Sequence, residues 1–381
     1  MRLSTNGQSA ALSCGLGSVL IMLALPVSAG TISAGGVDLD KFKQKLASDL
    51  NGNVVGYGFA IAKGGKVWRR GAGGWAQRPG DGNKKMRPRT RINVMSATKT
   101  WTAVATLQLL KKRGLGVDAK IYKWLPKTWL IRGKGFRKSD SLTFRQLLTH
   151  TSGLDQRFKQ LKAEGKHGSW KNGWDGIKFV VRKGTHAKKS YAYKNMNYAL
   201  LRVLVPRLAG RTVTKANYAG HYLRYLRRRI ARPSGVKQLT CRRLTSRPHA
   251  KAYNVNSPNS AGSNAEAGMQ DCGGHANFQL SAVEMAKFMT TLRCRGTSSK
   301  LLSKSSCQQM DQLKLGWQRS SNQGSNAGLF FHGGDRVGSN QIHTCQMKFP
   351  GNVEAALVTN SASKNGRSAC GMLKAAYNLA K

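Results

Sequence analysis

Ser96-Ala97-Thr98-Lys99 places a hydroxyl and an amine three residues apart, at the entry to a long apolar segment. At that spacing on a helix the two side chains share a face. A serine hydroxyl is a weak nucleophile until a base takes its proton. A lysine serves as that base only where burial or neighbouring positive charge depresses its pKa. A helix start favours both, because its amide groups and positive dipole end disfavour an ammonium and stabilise an oxyanion. The chemistry implied is nucleophilic attack by Ser96.

The same spacing recurs at Ser361-Ala362-Ser363-Lys364, which serves as an internal control. That copy lies in a polar stretch with no helical apolar pattern behind it. Ser96 is followed by Trp101, Ala103, Val104, Ala105, Leu107, Leu109 and Leu110, apolar nearly all round, as in a helix buried on most sides. Lys111, Lys112, Arg113 and then Gly114 mark its end. Two further segments set polar groups against apolar ones. Tyr193-Lys194-Asn195 opens an apolar helix-like run, and His332-Gly333-Gly334 follows the apolar Leu329-Phe330-Phe331. Paired glycines after a strand would let a substrate backbone lie close to the edge.

The elements that must position these groups divide along the chain. Val37 to Leu50 has the spacing of an amphipathic helix, with Leu39, Phe42, Leu46 and Leu50 on one side. Val54 to Ala62 and Lys66 to Trp75 read as strands joined by a turn at Gly64-Gly65, and residues 76–90 as a polar loop. Segments from Ser96 to about Leu292 are mostly helical, including Thr143 to Leu148, Tyr198 to Leu208, and Ser281 to Leu292 with a capping box at Ser281 and Glu284. Strands return at Gly328 to Phe331, Gln341 to Lys348 and Val353 to Thr359, before a last helix from about Cys370 to Ala380. The expectation is an α+β fold, an α/β sandwich whose antiparallel sheet comes from both chain ends and is flanked by helices. Residues 30–95 and 325–381 would form the sheet domain, and 96–324 a mainly helical domain inserted between them.

Residues 1–29 read as an export leader, with Arg2, an apolar run from Leu12 to Val27, and small residues before Gly30. Export predicts a periplasmic or secreted protein with no stable membrane span after processing. The six cysteines beyond the leader (Cys241, Cys272, Cys294, Cys307, Cys345 and Cys370) fit up to three disulfides, among fifteen connectivities. Lys plus Arg number 64 against 15 acidic residues, yet hydrophobic content is 40%, so the chain reads as a folded protein with a basic skin. The charge is dispersed and accompanies no nucleic-acid motif, so no specific nucleic acid is expected. Non-specific association with anionic envelope polymers, or life in an acidic exterior, accounts for it better. His343 and Cys345 have no companions at metal-ligand spacing, and no metal is expected.

Together these segments resemble the penicillin-recognising serine hydrolases of class C β-lactamase type, a family that also holds D-alanyl-D-alanine carboxypeptidases, D-aminopeptidases and esterases. The resemblance covers roughly residues 37–381. Ser96 to Lys99 resembles its S-x-x-K box, Tyr193 to Asn195 its Y-x-N box and His332 to Gly334 its third box, in family order. Leu142 to Leu154, the Cys272-Gly273-Gly274 segment and Leu315-Gly316-Trp317 resemble its flanking signatures. The resemblance implies the β-lactamase/transpeptidase-like fold and an acyl-enzyme on Ser96, formed without cofactor from a small-molecule or peptide substrate, in preference a D-amino-acid peptide or small ester. It also implies that Lys99 and Tyr193 shuttle the proton, and that Asn195 holds Lys99 and substrate. The backbone N–H groups of Ser96 and Asp335 would form the oxyanion hole, and the third box would bind substrate. The strongly positive chain would keep Lys99 neutral and Tyr193 partly deprotonated. His332 stands where class C lactamases carry lysine, and Gly333 where a hydroxyl residue is usual, so efficient β-lactam hydrolysis is not expected. Residue by residue, simpler roles are available: a helix cap with a solvated lysine for Ser96 and Lys99, a core tyrosine for Tyr193, an N-cap for Asn195, and a strand-end histidine for His332. Functionally, the rivals to the hydrolase are a weak β-lactamase and an idle envelope-binding protein on the same scaffold.

Overall fold

The computed structural model describes residues 36–129, 140–154, 172–185, 189–294, 301–318 and 328–381; the expected leader lies outside them. Its strands are β1 (Gly56–Lys63), β2 (Lys66–Gln77), β3 (Lys84–Lys85), β4 (Ile92–Asn93), β5 (Gln279–Leu280), β6 (Phe330–Arg336), β7 (Ile342–Phe349) and β8 (Val353–Thr359). Its α-helices are α1 (Leu39–Leu50), α2 (Thr98–Lys112), α3 (Phe144–Leu148), α4 (Trp174–Lys183), α5 (Asn195–Leu208), α6 (Tyr218–Leu226), α7 (Ala282–Thr290), α8 (Lys304–Gln312) and α9 (Ala369–Asn378).

The six-stranded sheet has the order β3-β2-β1-β8-β7-β6 and is antiparallel throughout. Strand β1 pairs with β8, Phe59 opposite Leu357, so the two chain ends meet in the middle of the sheet. β3 adds a short pairing inside the stretch whose composition predicts only loop. The separate pair β4–β5 carries the chain from the sheet into α2.

Alternation along the strands builds two cores, one on each face. On one face Tyr57, Phe59, Ile61, Met347 and Leu357 pack with Phe42, Leu46 and Leu50 of α1 and Leu373 and Tyr377 of α9. On the other, Ala60, Ala356 and Val358 meet the larger helical core. Helix α1 starts where Asp38 accepts the N–H groups of Asp40 and Lys41. The capping box expected at α7 is present, and Glu284 also accepts from Arg91, a largely buried ion pair that ties the start of β4 to α7. Helix α2 is buried nearly all round and ends on Gly114 at φ 65°. Its Trp101 lies flat on Phe288 of α7, ring centroids 3.9 Å apart, and edge-on to Phe278.

The six cysteines pair as Cys241–Cys272, Cys294–Cys307 and Cys345–Cys370. They tie the Cys272 loop, the end of α7 to α8, and β7 to α9. Closing loops of 13 to 31 residues stabilises each by about 3 kcal/mol in the chain-entropy picture.

Trp101 joins α2 to α7 and fills a fully buried site. Trp101→Ala is therefore expected to destabilise the protein by about 3–5 kcal/mol, read as a lower urea midpoint with an unchanged slope.

Candidate active site

Ser96 sits in a tight 3-10 turn, Met95–Ala97, between β4 and α2. Met95 before it adopts φ 47°, a left-handed conformation that costs a non-glycine residue about 1–3 kcal/mol. The surroundings hold it there. Asn93 Oδ1 accepts the Met95 N–H at 2.8 Å, and the Val94 N–H donates to Phe278 O at 2.8 Å. From the sheet, Thr344 Oγ1 donates to Val94 O at 3.0 Å and Gln346 Nε2 to Ala97 O at 2.8 Å. Polar side chains of β7 thus clamp the turn on both sides of the serine.

Lys99 is wholly buried. Its Nζ lies 2.9 Å from Ser96 Oγ, 2.8 Å from Asn195 Oδ1 and 2.7 Å from His275 O. Burial pushes its pKa well below the ordinary 10.5. A neutral amine has two protons and one lone pair. The amide and carbonyl oxygens only accept, so they take the two protons, and the lone pair falls to the Ser96 hydroxyl. The arrangement is that of a base already hydrogen-bonded to its nucleophile. The His275 carbonyl is presented by Gly273 and Gly274, both at positive φ; a Cβ on Gly274 would lie 2.8 Å from Tyr198 O. The Cys241–Cys272 disulfide anchors that loop.

The Tyr193 hydroxyl faces Ser96, and its ring centroid lies 4.8 Å from Lys99 Nζ. Burial raises its pKa far above the usual phenol range, so Tyr193 is a protonated phenol. This corrects the expectation of partial deprotonation: local desolvation outweighs a positive potential spread over a water-facing surface. Lys194, not Asn195, occupies the N-cap of α5. Asn195, in the first turn, sends its side-chain oxygen to Lys99, and among the described residues its amide nitrogen meets no hydrogen-bond partner.

His150, at the helix end within the Leu142 to Leu154 segment, supports the site from its structural position. It adopts φ 58°. Its carbonyl accepts the Ala192 N–H at 2.8 Å and its Nδ1 the Lys194 N–H at 3.2 Å, gripping the chain on both sides of Tyr193. Its ring packs 4.5 Å from the Tyr193 ring. With Nδ1 accepting, the imidazole proton is on Nε2. The histidine in the Leu142 to Leu154 signature was the available signal, and it marks support of the site.

The third box lies within β6 and not after a strand: pairing with β7 runs on through Gly333 opposite Cys345 and Gly334 opposite Thr344. A Cβ on Gly334 would lie 2.3 Å from Val94 O and 2.8 Å from Ser96 N, so only glycine lets the strand approach the nucleophile. Gly333 faces the other way, where a Cβ would lie 3.3 Å from Cys370 Sγ. His332 is 1% exposed, and its ring stands 6.2 Å from that of Tyr193. Its Nδ1 donates to Gly333 O at 2.6 Å. Burial alone holds its pKa well below the usual imidazole range, so it is neutral and offers no cation to a substrate carboxylate. Asp335 follows at the mouth of the site, its carboxylate 2.7 Å from His343 Nδ1.

Ser96, Lys99, Tyr193 and Asn195 thus form one contact cluster, with Gly334 against it. A family model described as Beta-lactamase matches residues 40–375. The chain belongs to the beta-lactamase family. The α+β expectation and the resemblance to penicillin-recognising serine hydrolases hold. Protein flp from Staphylococcus aureus (strain N315) is 26% identical over 166 residues, 43% of this chain and 32% of that protein. Esterase EstB from Burkholderia gladioli is 36% identical over 102 residues, 26% of this chain and 25% of the esterase. The chain therefore spans a third or less of the length of these curated relatives. Among solved structures, the D-amino acid amidase from Ochrobactrum anthropi SV3 aligns with a TM-score of 0.64 at 17% identity, over 89% of this chain and 98% of that one, and shows the same fold.

Two outcomes follow for this beta-lactamase-family site. Gly334→Ala would push β6 off the Ser96 turn and should lower turnover by about 10²-fold or more, measured as kcat on a reactive ester. An amine held neutral by burial costs stability wherever the unfolded chain would protonate it, below 10.5. The wild type should therefore gain stability relative to Lys99→Met as pH rises from neutral toward 10.5, as calorimetry of both proteins would show.

Proposed function

We propose that this protein is an exported serine hydrolase that cleaves an amide or ester bond through an acyl-enzyme on Ser96. The observation that carries the reading is the Lys99 amine, buried and in contact with Ser96 Oγ, Asn195 Oδ1 and His275 O. Ser96 Oγ attacks the substrate carbonyl as its proton passes to Lys99 Nζ. The carbonyl oxygen takes the negative charge and is met by the backbone N–H groups of Ser96 and Asp335. As the tetrahedral species collapses, Tyr193 gives its proton to the leaving nitrogen or oxygen and is reprotonated from Lys99. Water then repeats the sequence on the acyl-enzyme and frees Ser96. The divergent environments of the two groups, a base made neutral and an acid kept protonated, suit these roles. The amide nitrogen of Asn195, unpartnered among the described residues, holds a substrate carbonyl.

The substrate class follows from charge. With His332 neutral, the third box has no partner for a carboxylate, which disfavours β-lactams and free peptide C-termini. Uncharged small esters and D-amino-acid amides fit better, in line with the activities for which EstB and the amidase are named. The basic surface, net +49, would hold the enzyme against anionic envelope material.

The purified protein should hydrolyse an aryl ester or a D-amino-acid amide, and Ser96→Ala should lose about 10³-fold or more. Intact mass should show an acyl adduct on the wild type alone. No adduct and no turnover would leave the idle scaffold. Retention on an anionic polymer should fall with added salt and be the same in Ser96→Ala.

A further inference from the structure

Strand β6 is a sheet edge, so alternate residues direct their backbone N–H and C=O away from β7. Phe331 and Gly333 have that orientation, because both are met from outside the sheet by one residue. The Gln318 N–H donates to Phe331 O at 2.8 Å, and the Gly333 N–H donates to Gln318 Oε1 at 3.0 Å. The alternation then turns Asp335, two residues on, toward the same open edge. Among the described residues nothing occupies its outward N–H and C=O. Gln318 therefore acts as a one-residue strand, its backbone on Phe331 and its side-chain amide on Gly333.

We propose that Gln318 is a specificity-determining residue. By satisfying the Gly333 N–H it closes the β6 edge to any substrate backbone running from Ser96 toward Phe331. The substrate is then an amide or ester whose group on that side of the scissile bond is compact, one residue at most, while the Asp335 side stays open. This rests on Ser96 being the nucleophile.

Two features make the stop rigid. Gly333 leaves room for the amide, since a Cβ there would lie 3.3 Å from Gln318 Oε1 as well as from Cys370 Sγ. The departure from the usual hydroxyl residue and the presence of the glutamine amide are thus complementary. Trp317, next to Gln318, donates its Nε1–H to Asp311 Oδ1 at 3.0 Å and packs against Phe330, which fixes the backbone from which the amide reaches. A mobile surface glutamine would be displaced at little cost. This one exchanges a made hydrogen bond for another.

The test uses two substrate series built on one reactive ester, extended residue by residue on the acyl side or on the leaving-group side. Values of kcat/KM are measured for the wild type, Gln318→Ala and Gln318→Asn, the last too short to reach Gly333. The wild type should tolerate extension on one side and lose about tenfold or more on the other. Both variants should raise the ratio of extended to short substrate on the disfavoured side by about tenfold, mainly through KM. Equal tolerance on both sides in the wild type would overturn the proposal. So would a ratio unchanged in both variants with native circular dichroism. If the short ester gives no adduct on Ser96 in any of the three proteins, the hydrolase reading fails and this inference with it, an outcome distinct from symmetric turnover.

Discussion

The fold is organised around an amine denied its charge. Lys99 Nζ is buried with two obligate acceptors and a hydroxyl around it, and among the described residues no carboxylate contacts it. In water an ammonium would be strongly favoured. Here desolvation works against that preference, and in the neutral form the two acceptors take both amine protons and leave the lone pair to Ser96. Every neighbouring element serves that geometry. The apolar helix α2 buries the lysine stem, the glycine loop presents the His275 carbonyl, and α5 begins where Asn195 can reach.

The second constraint is the strained turn that exposes the serine. Met95 would not hold φ 47° alone. Thr344 and Gln346, on the face of β7 toward α2, bind the carbonyls on either side of it, while Cys345 between them is tied to α9 on the opposite face. The sheet therefore does more than scaffold the site. One strand clamps the Ser96 turn, its neighbour β6 brings Gly334 against it, and the disulfide fixes the clamp from behind. This division of labour follows from the alternation of a strand, which lets adjacent residues bind opposite layers.

What was legible in the sequence was local. Helix α2, its glycine stop and the Ser281–Glu284 capping box depend on residues within a few positions of one another. The hairpin and the central strands were readable from apolar runs for the same reason. The apolar run ends β6 too early, because His332, Gly333, Gly334 and Asp335 break it; pairing with β7, a nonlocal fact, extends the strand to Arg336. The His275 carbonyl was hidden because every residue has one. Gln318 carries no motif, and its meaning comes from lying beside an edge strand. The Tyr193 phenol departs from the expectation because net charge is visible in a sequence and burial is not. The cysteine pairing also required the fold to choose among fifteen possibilities.

The surface charge and the interior base are separate matters. The net charge of +49 belongs to the whole chain and its exposed part is screened by salt, whereas the Lys99 pKa is lowered by burial away from water. The most direct test is the protonation state of Lys99 itself. Side-chain carbon and nitrogen shifts of labelled lysine, assigned with Lys99→Met, would follow it against pH. The account predicts one lysine already neutral while the surface lysines remain charged. A Lys99 signal titrating with the others near 10.5 would contradict it, and the base would have to be sought elsewhere.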